Sequence, residues 1–124
     1  MIEGVRGNTM EIRAVFEAGD AKAFGLRVRR SDDGKNAVVI RCDGKELDVA
    51  GAKAPLPAGP KVVELRVFLD HSVVEVYAGG ECVTRVVYPG KDDLGVEAFA
   101  QGGTATLRSL EAWPMASIWP KSER

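Results

Sequence analysis

The sequence has few of the residues from which metal and redox sites are built. It holds one histidine and two cysteines among 124 residues, and aromatic side chains make up only 6% of the chain. One histidine together with Cys42 and Cys82 offers too few ligands for a structural zinc site. We expect both thiols to be reduced, and a disulfide between the two predicted strands that carry them stays open as an alternative. The sequence therefore predicts no metal and no cofactor.

An excess of charge of one sign is also absent. Lysine and arginine number 17 against 18 aspartates and glutamates, which gives a net charge of −1. This balance argues against nucleic acid and anionic membrane surfaces as partners. No apolar run approaches the roughly 20 residues that span a bilayer, and the first residues lack the basic-then-apolar pattern of a signal peptide. We expect a soluble chain, and its compartment stays undetermined.

What the sequence does have is an alternation of apolar and polar residues with a period of two, and helical periodicity is nearly absent. Asp33-Gly34 and Asp43-Gly44 are strong hairpin signals between such stretches. About nine short strands in one domain over residues 1–124 predict an all-β sandwich or barrel. The predicted strands cover residues 10–16, 24–29, 37–42, 46–49, 62–69, 73–77, 81–88, 95–100 and 104–113.

Three segments need separate predictions. Residues 50–60 contain three prolines, which predicts a loop or an edge segment that crosses between two sheets. The strands at 95–100 and 104–113 are expected to be the last pair, joined by Gln101-Gly102-Gly103. The tail from Pro114 is expected to pack Ile118 or Trp119 onto the rim of the domain.

The stretch from Glu64 to Tyr77 consists of two alternating strands joined by the polar corner Asp70-His71-Ser72. It resembles the hairpin Leu-Arg-Val-Phe-Val-Asp-Arg-Ser-x-Val-Glu-Val-Phe of the C-terminal β-sandwich module of glycoside hydrolase family 32, the invertase, inulinase and levanase group. Residues 24–30 resemble the Phe-Gly-Leu-x-Val-Arg strand of that family, and residues 85–89 are similar to its Thr-x-Arg-x-Tyr-Pro strand end. The ordered set extends the resemblance over about residues 7–114.

The resemblance implies a two-sheet antiparallel β-sandwich of the concanavalin A-like jelly-roll type. It further implies a non-catalytic accessory domain of a fructan- or sucrose-hydrolysing enzyme, whose partner is a catalytic five-bladed propeller. The propeller's Asn-Asp-Pro-Asn, Arg-Asp-Pro and Glu-Cys motifs have no counterpart here, since Glu81-Cys82 lies at a hairpin start in the wrong module. We therefore expect no hydrolysis by this chain alone. A sandwich face made for an absent partner also predicts self-association, such as a homodimer.

The alternative is a stand-alone fructan-binding module related to carbohydrate-binding module family 66; a structural or interaction domain is the third class. Hydrogen-bonding candidates for a sugar site are Arg27, Asp48, Asp70, Glu75 and Gln101, with Tyr77, Tyr88 or Trp113 as the aromatic platform. The competing interpretation is that these side chains form solvated faces and cross-strand pairs. On that interpretation Asp70 caps backbone N–H groups of the corner and Glu75 faces polar surface or an arginine such as Arg66. The lone His71 is expected to be merely exposed.

Overall fold

The structure of the protein is a computed structural model that describes residues 7–56 and 62–114. Within these residues the chain forms ten β-strands and no helix, which confirms the all-β prediction. Nine of the strands begin and end within two residues of the predicted bounds. The strands are β1 (Thr9–Glu17), β2 (Ala23–Arg30), β3 (Val38–Cys42), β4 (Glu46–Val49), β5 (Ala52–Pro55), β6 (Val62–Asp70), β7 (Val73–Ala78), β8 (Glu81–Val86), β9 (Gly95–Gln101) and β10 (Thr106–Pro114).

The strands form two five-stranded antiparallel sheets, which confirms the predicted sandwich. Sheet I has the order β10-β1-β6-β7-β8, and sheet II has the order β5-β4-β3-β2-β9. Alternate residues of each sheet point into a common core, such as Ile12 and Val67 from sheet I and Leu26 and Ile40 from sheet II. All four side chains are fully buried, and burial of each contributes about 1.5–3 kcal/mol to folding.

The β6–β7 hairpin has the predicted faces and a corner that differs from the prediction. Leu65 and Val67 are buried while Arg66 is exposed, as the alternation requires. Asp70 pairs with Val73, so the loop has two residues, and His71 adopts a left-handed backbone with φ 53°. The expected capping role of Asp70 is not observed, because its carboxylate makes no hydrogen bond with any described residue; the corner is instead tied down through the backbone.

Of two predicted connections, one is confirmed as an edge segment and the other is wrong. Residues 52–55 form β5, an edge strand beside β4, where the missing N–H of Pro55 breaks no central ladder. The strands β9 and β10 do not pair with each other: β9 pairs with β2 in sheet II, and β10 pairs with β1 in sheet I. The glycine-containing link between them therefore crosses from one sheet to the other. The predicted packing of Ile118 or Trp119 falls outside the described residues.

Both cysteines are free, as expected. Cys42 is buried on the core side of β3, and burial raises the pKa of its thiol to about 12. Cys82 is exposed on β8. Its side chain lies on the outer face of sheet I and Cys42 points into the core, so the two thiols occupy different layers.

The ends of the described chain lie together at one end of the sandwich, which we call the proximal end. The N–H of Gly7 donates to the carbonyl of Leu94 at 2.9 Å, and Pro114 at the end of β10 pairs with Met10 at the start of β1. The β2–β3, β6–β7 and β8–β9 loops share this end, because the strands alternate in direction. The β1–β2, β3–β4, β7–β8 and β9–β10 loops form the opposite, distal end.

Candidate functional site

The six residues predicted to bind a ligand lie on two opposite surfaces. Arg27, Asp48 and Gln101 are on the outer face of sheet II, and Asp70, Glu75 and Tyr77 are on the outer face of sheet I. The core separates the two outer faces. One small sugar therefore cannot contact both sets, and each set has to be judged by itself.

On sheet II the predicted residues are engaged with neighbouring strands. Nη1 of Arg27 lies 2.8 Å from Oε1 of Glu97, and its guanidinium lies 4.3 Å from the centre of the Phe99 ring. Oε1 of Gln101 accepts a hydrogen bond from Nε of Arg41 at 3.1 Å. These contacts join β2, β3 and β9 across the sheet, as the cross-strand interpretation of these residues requires.

Two of the predicted carboxylates belong to turns. Oδ1 of Asp48 accepts the backbone N–H of Gly51 at 2.8 Å and thereby closes the β4–β5 turn. Asp70 stands at the end of β6 with an exposed side chain. The main chain after it is held by the N–H of His71, which donates to the carbonyl of Asn8 at 2.8 Å. His71 itself is exposed, as expected.

The outer face of sheet I carries a small aromatic recess, defined by Arg66, Phe68, Glu75 and Tyr77, with a volume of about 460 Å³. The rings of Phe68 and Tyr77 meet edge to face with their centres 5.7 Å apart. The Tyr77 hydroxyl donates to the Glu75 carboxylate, which raises the pKa of Tyr77 to about 12. The Arg66 guanidinium lies 6.0 Å from the Phe68 ring centre and forms an ion pair with Glu11 rather than with Glu75.

The aromatic recess combines ring faces with a carboxylate and a guanidinium, which are groups that bind the apolar faces and hydroxyls of sugars. Two of its four members, Glu75 and Tyr77, are among the predicted site residues. Arg66 and Phe68 are not, although the alternation along β6 already places both on the outer face. The signal that would have added them is their position directly across from Tyr77 and Glu75 in the hairpin.

Arg29 is a buried charged residue, although strict alternation along β2 would place it on the same outer face as Arg27. The register of β2 shifts after Arg27, and Arg29 adopts a left-handed φ of 48°. Its side chain is only 4% exposed and donates to three carbonyls, those of Asp93 at 2.6 Å, His71 at 2.7 Å and Gly90 at 3.1 Å. Burial lowers the pKa of Arg29, and the charge of Asp93 opposes that shift. The guanidinium thus links β2 to two proximal loops.

Residues 7–56 and 62–114 lack two further features, a metal-binding cluster and a membrane-spanning helix. No group of three or more histidine, cysteine or acidic side chains there is arranged to hold a metal ion. The same residues contain no helix with the length and apolar character needed to cross a bilayer.

Residues 2–114 match the family model described as Glycosyl hydrolases family 32 C terminal. The chain belongs to this family. A levanase of Bacillus subtilis is 29% identical over 140 aligned residues, which cover 96% of this chain and 20% of the levanase. The chain therefore spans about a fifth of the length of that relative.

Two solved structures share the fold of this family 32 C-terminal domain. Exo-inulinase from Aspergillus awamori superposes with a TM-score of 0.79 at 24% identity, over 93% of this chain and 26% of the inulinase. Carbohydrate-binding module CBM66 from Bacillus subtilis superposes with a TM-score of 0.63 at 14% identity, over 88% of this chain and 77% of that module. At these identities the likeness shows the fold alone.

The strand motif around Gly25 has a structural explanation in this family 32 domain. A Cβ atom on Gly25 would stand 1.9 Å from the carbonyl oxygen of Ile40 on the neighbouring strand β3. Only glycine permits this approach of the two backbones. The glycine of the Phe-Gly-Leu resemblance therefore meets a packing requirement of the sandwich.

Proposed function

We propose that this chain is the non-catalytic β-sandwich domain of a fructan- or sucrose-hydrolysing family 32 enzyme, and that its partner is a catalytic five-bladed propeller. The observation that carries the proposal is the family match over residues 2–114, combined with the small share of the levanase that the chain spans. Four-fifths of that enzyme lies outside the match. The role left to the domain is to stabilise the catalytic part and to add a wall or a contact for substrate.

The proposed absence of catalysis is supported by the surfaces that carry carboxylates. A glycosidase holds two carboxyl groups on either side of one sugar bond, about 5–10 Å apart, in a pocket that encloses most of the sugar. The aromatic recess is open to solvent, and Tyr77 within it is 42% exposed. The Glu75 carboxylate is occupied by the Tyr77 hydroxyl, and the neighbouring Glu11 carboxylate is paired with Arg66.

The first test is an assay of the purified chain with sucrose, levan and inulin. We expect no release of fructose from any of the three. Release of fructose that purifies with the chain and disappears in the Glu75→Gln variant would contradict the non-catalytic role.

The second test asks whether the domain stabilises a catalytic part. A chimera is made in which this chain replaces the matching segment of the Bacillus subtilis levanase, and it is compared with the levanase truncated before that segment. Interfaces between domains of one chain bury about 600–1,500 Å², so contact with this domain should stabilise the catalytic part. We expect the unfolding midpoint of the catalytic part to rise by about 2–4 °C for each kcal/mol of stabilisation by the interface, with levan hydrolysis retained. Equal midpoints for the chimera and the truncated enzyme would count against the proposal.

The second candidate function is binding of fructan through the aromatic recess. It is favoured by the edge-to-face pair of Phe68 and Tyr77 beside the Glu75 carboxylate, which is an arrangement suited to sugar hydroxyls. Asp70 borders the same outer face and is included in the proposed site. Arg27, Asp48 and Gln101 form the alternative location on sheet II, with fewer groups left for a ligand.

Chemical-shift titration with fructose, levan and inulin separates these cases. Binding at the recess should give saturable shifts confined to residues near Phe68, Glu75 and Tyr77, and the Tyr77→Ala variant should lose them. Tyr88→Ala is the matched control, because Tyr88 is an exposed tyrosine at the proximal end. Shifts centred on Arg27 or Gln101 would move the site to sheet II, and silence with all three sugars would remove this function.

The isolated chain is also expected to self-associate. Val86, at the end of the edge strand β8, is 57% exposed, and exposed apolar residues on an unpaired edge favour pairing with a second copy. Light scattering should show a dimer whose share rises with concentration, and Val86→Ser should reduce it. A clean monomer up to millimolar concentration would contradict this expectation.

A further inference from the structure

The proximal end of the sandwich contains a recess and the most exposed apolar side chains of the described residues. The recess has a volume of about 570 Å³ and lies between β8, the start of β3 and the β8–β9 loop, with Lys35, Val38 and Arg85 among its lining residues. Val86 and Tyr88 also line it and are 57% and 91% exposed. We call the surface formed by Lys35, Val38, Arg85, Val86 and Tyr88 the proximal surface.

The loops that form the proximal surface are held in place before any partner arrives. The Arg29 guanidinium fixes the carbonyls of Gly90 and Asp93 in the β8–β9 loop and that of His71 in the β6–β7 loop. The N–H of Val87 donates to the carbonyl of Ser72 at 2.8 Å, so these two loops are also joined to each other. A surface arranged in this way loses little conformational freedom on binding.

The charges of the proximal surface lack partners of opposite sign. Among the described residues, Lys35 and Arg85 form no ion pair, whereas Arg13 and Arg66 on sheet I each pair with a glutamate. The Asp93 carboxylate lines the recess and accepts the backbone N–H of Gly90 at 3.1 Å. The recess therefore presents two uncompensated cations next to exposed apolar groups, which suits a partner surface with acidic and apolar side chains.

The chain path places one partner close to this surface. Gly7 lies at the proximal end through its hydrogen bond to Leu94, and the family describes a C-terminal domain, so the catalytic part of such an enzyme precedes this residue. A domain joined there is held at high effective concentration next to the proximal surface.

We propose that the proximal surface is the seat of the catalytic domain, and that Lys35, Arg85, Val86 and Tyr88 dock against an acidic and apolar patch of it. This inference rests on the proposed function and adds which surface performs it. The expected contact is continuous with the chain connection before Gly7.

The test uses hydrogen exchange on the levanase chimera described above and on the isolated chain. Docking should slow exchange of residues 86–90 in the chimera by about tenfold relative to the isolated chain. Lys35→Glu and Val86→Ser should abolish this slowing without changing the unfolding midpoint of the isolated chain, measured at concentrations at which light scattering shows a monomer.

The chain offers a matched control for each variant. Lys45→Glu controls for Lys35→Glu, because both lysines donate a backbone N–H at 3.0 Å to the aspartate two residues earlier, Lys45 at the distal end. Val62→Ser controls for Val86→Ser, because Val62 is also an exposed strand valine, 43% accessible, at the distal end. Both controls should retain the slowed exchange.

The remaining outcomes separate this inference from the proposed function. Slowed exchange at Phe68 and Tyr77 with residues 86–90 unchanged overturns the proximal seat and leaves the accessory role standing. No slowing anywhere, with catalysis and stability equal to those of the truncated levanase, overturns both. If deletion of residues 115–124 speeds exchange of residues 86–90 in the isolated chain, the surface is covered by the chain's own C-terminal segment, and the inference is again overturned.

Discussion

The Arg29 side chain joins three loop carbonyls at the proximal end, and its removal leaves all three without a donor. We predict that Arg29→Met lowers the free energy of unfolding by about 1–3 kcal/mol, because three hydrogen bonds from a charged donor are lost and water can reach some of the freed carbonyls. Urea denaturation followed by circular dichroism measures the change. Arg108→Met is the control: its ion pair with Glu17 is long, at 3.8 Å, and solvent-exposed, so the expected loss is below about 0.5 kcal/mol. A similar loss in both variants would contradict the role of Arg29.

Gly25 is constrained by space and not by a positive φ. Its Cβ would meet backbone atoms of Ile40, and a backbone atom in a central strand cannot move aside easily. We predict that Gly25→Ala lowers the free energy of unfolding by about 2–3 kcal/mol. Gly7→Ala should cost less than about 1 kcal/mol, because the new Cβ meets only the flexible end of Met10. Equal urea midpoints for the two variants would show that the strands adjust freely.

At the scale of an element, the β6–β7 hairpin depends on the backbone of His71. The described contacts of His71 are made by its main chain, so a substitution acts mainly through φ, which is 53°. We predict that His71→Gly raises the free energy of unfolding by about 0.5–1 kcal/mol and that His71→Val lowers it by about 1 kcal/mol. Ser72→Gly, in the same loop without a positive φ, should lower it slightly. The same urea midpoint for His71→Gly and His71→Val would refute this account.

The sequence predicts the elements well because alternation and turn residues act locally. Nine strands were located from period-two patterns, and the family resemblance is confirmed by the match over residues 2–114. β5 was not assigned as a strand because its proline indicates a break, yet an edge position tolerates it. The prediction that β9 and β10 pair with each other was wrong, because two glycines are equally compatible with a hairpin and with a crossing between sheets. Only the packing of the whole chain decides between a hairpin and a crossing.

At the scale of the whole molecule, local sequence patterns also fail to predict which residues of the candidate site lie together. Alternation states which face of its own strand a residue occupies, so Glu75 and Tyr77 were correctly placed on an outer face. Alternation does not predict which sheet a strand joins. The predicted site therefore combined Arg27 and Gln101 of sheet II with Glu75 and Tyr77 of sheet I, although the core separates the two outer faces. The burial of Arg29 was missed because the register shift in β2 breaks the alternation at that residue.

The stability of the whole molecule should fall in acid, because hydrogen-bonded carboxylates hold loops at both ends. Backbone and side-chain hydrogen bonds from Thr104 lower the pKa of Asp20, which links the β1–β2 and β9–β10 loops. The N–H of Lys35 and the hydroxyl of Ser31 likewise lower the pKa of Asp33, and the N–H of Lys45 lowers that of Asp43. A carboxyl group with a lowered folded pKa stabilises the protein above its unfolded pKa, and that contribution is lost as pH falls through the folded value.

We therefore predict a level free energy of unfolding from about pH 7 to 5 and a progressive loss below about pH 4. Urea denaturation at pH 7, 5, 4 and 3 measures this profile. Asp20→Asn should be less stable at pH 7 and should lose less between pH 5 and 3, because its amide does not titrate. Added salt provides the control. It should reduce the contribution of the Glu64 carboxylate, whose pKa is lowered by Arg13, to the loss of unfolding free energy in acid. The contribution of Asp20, which comes from hydrogen bonds to Thr104, should remain. An acid loss that is the same in the parent and in Asp20→Asn would show that the Asp20–Thr104 link does not contribute.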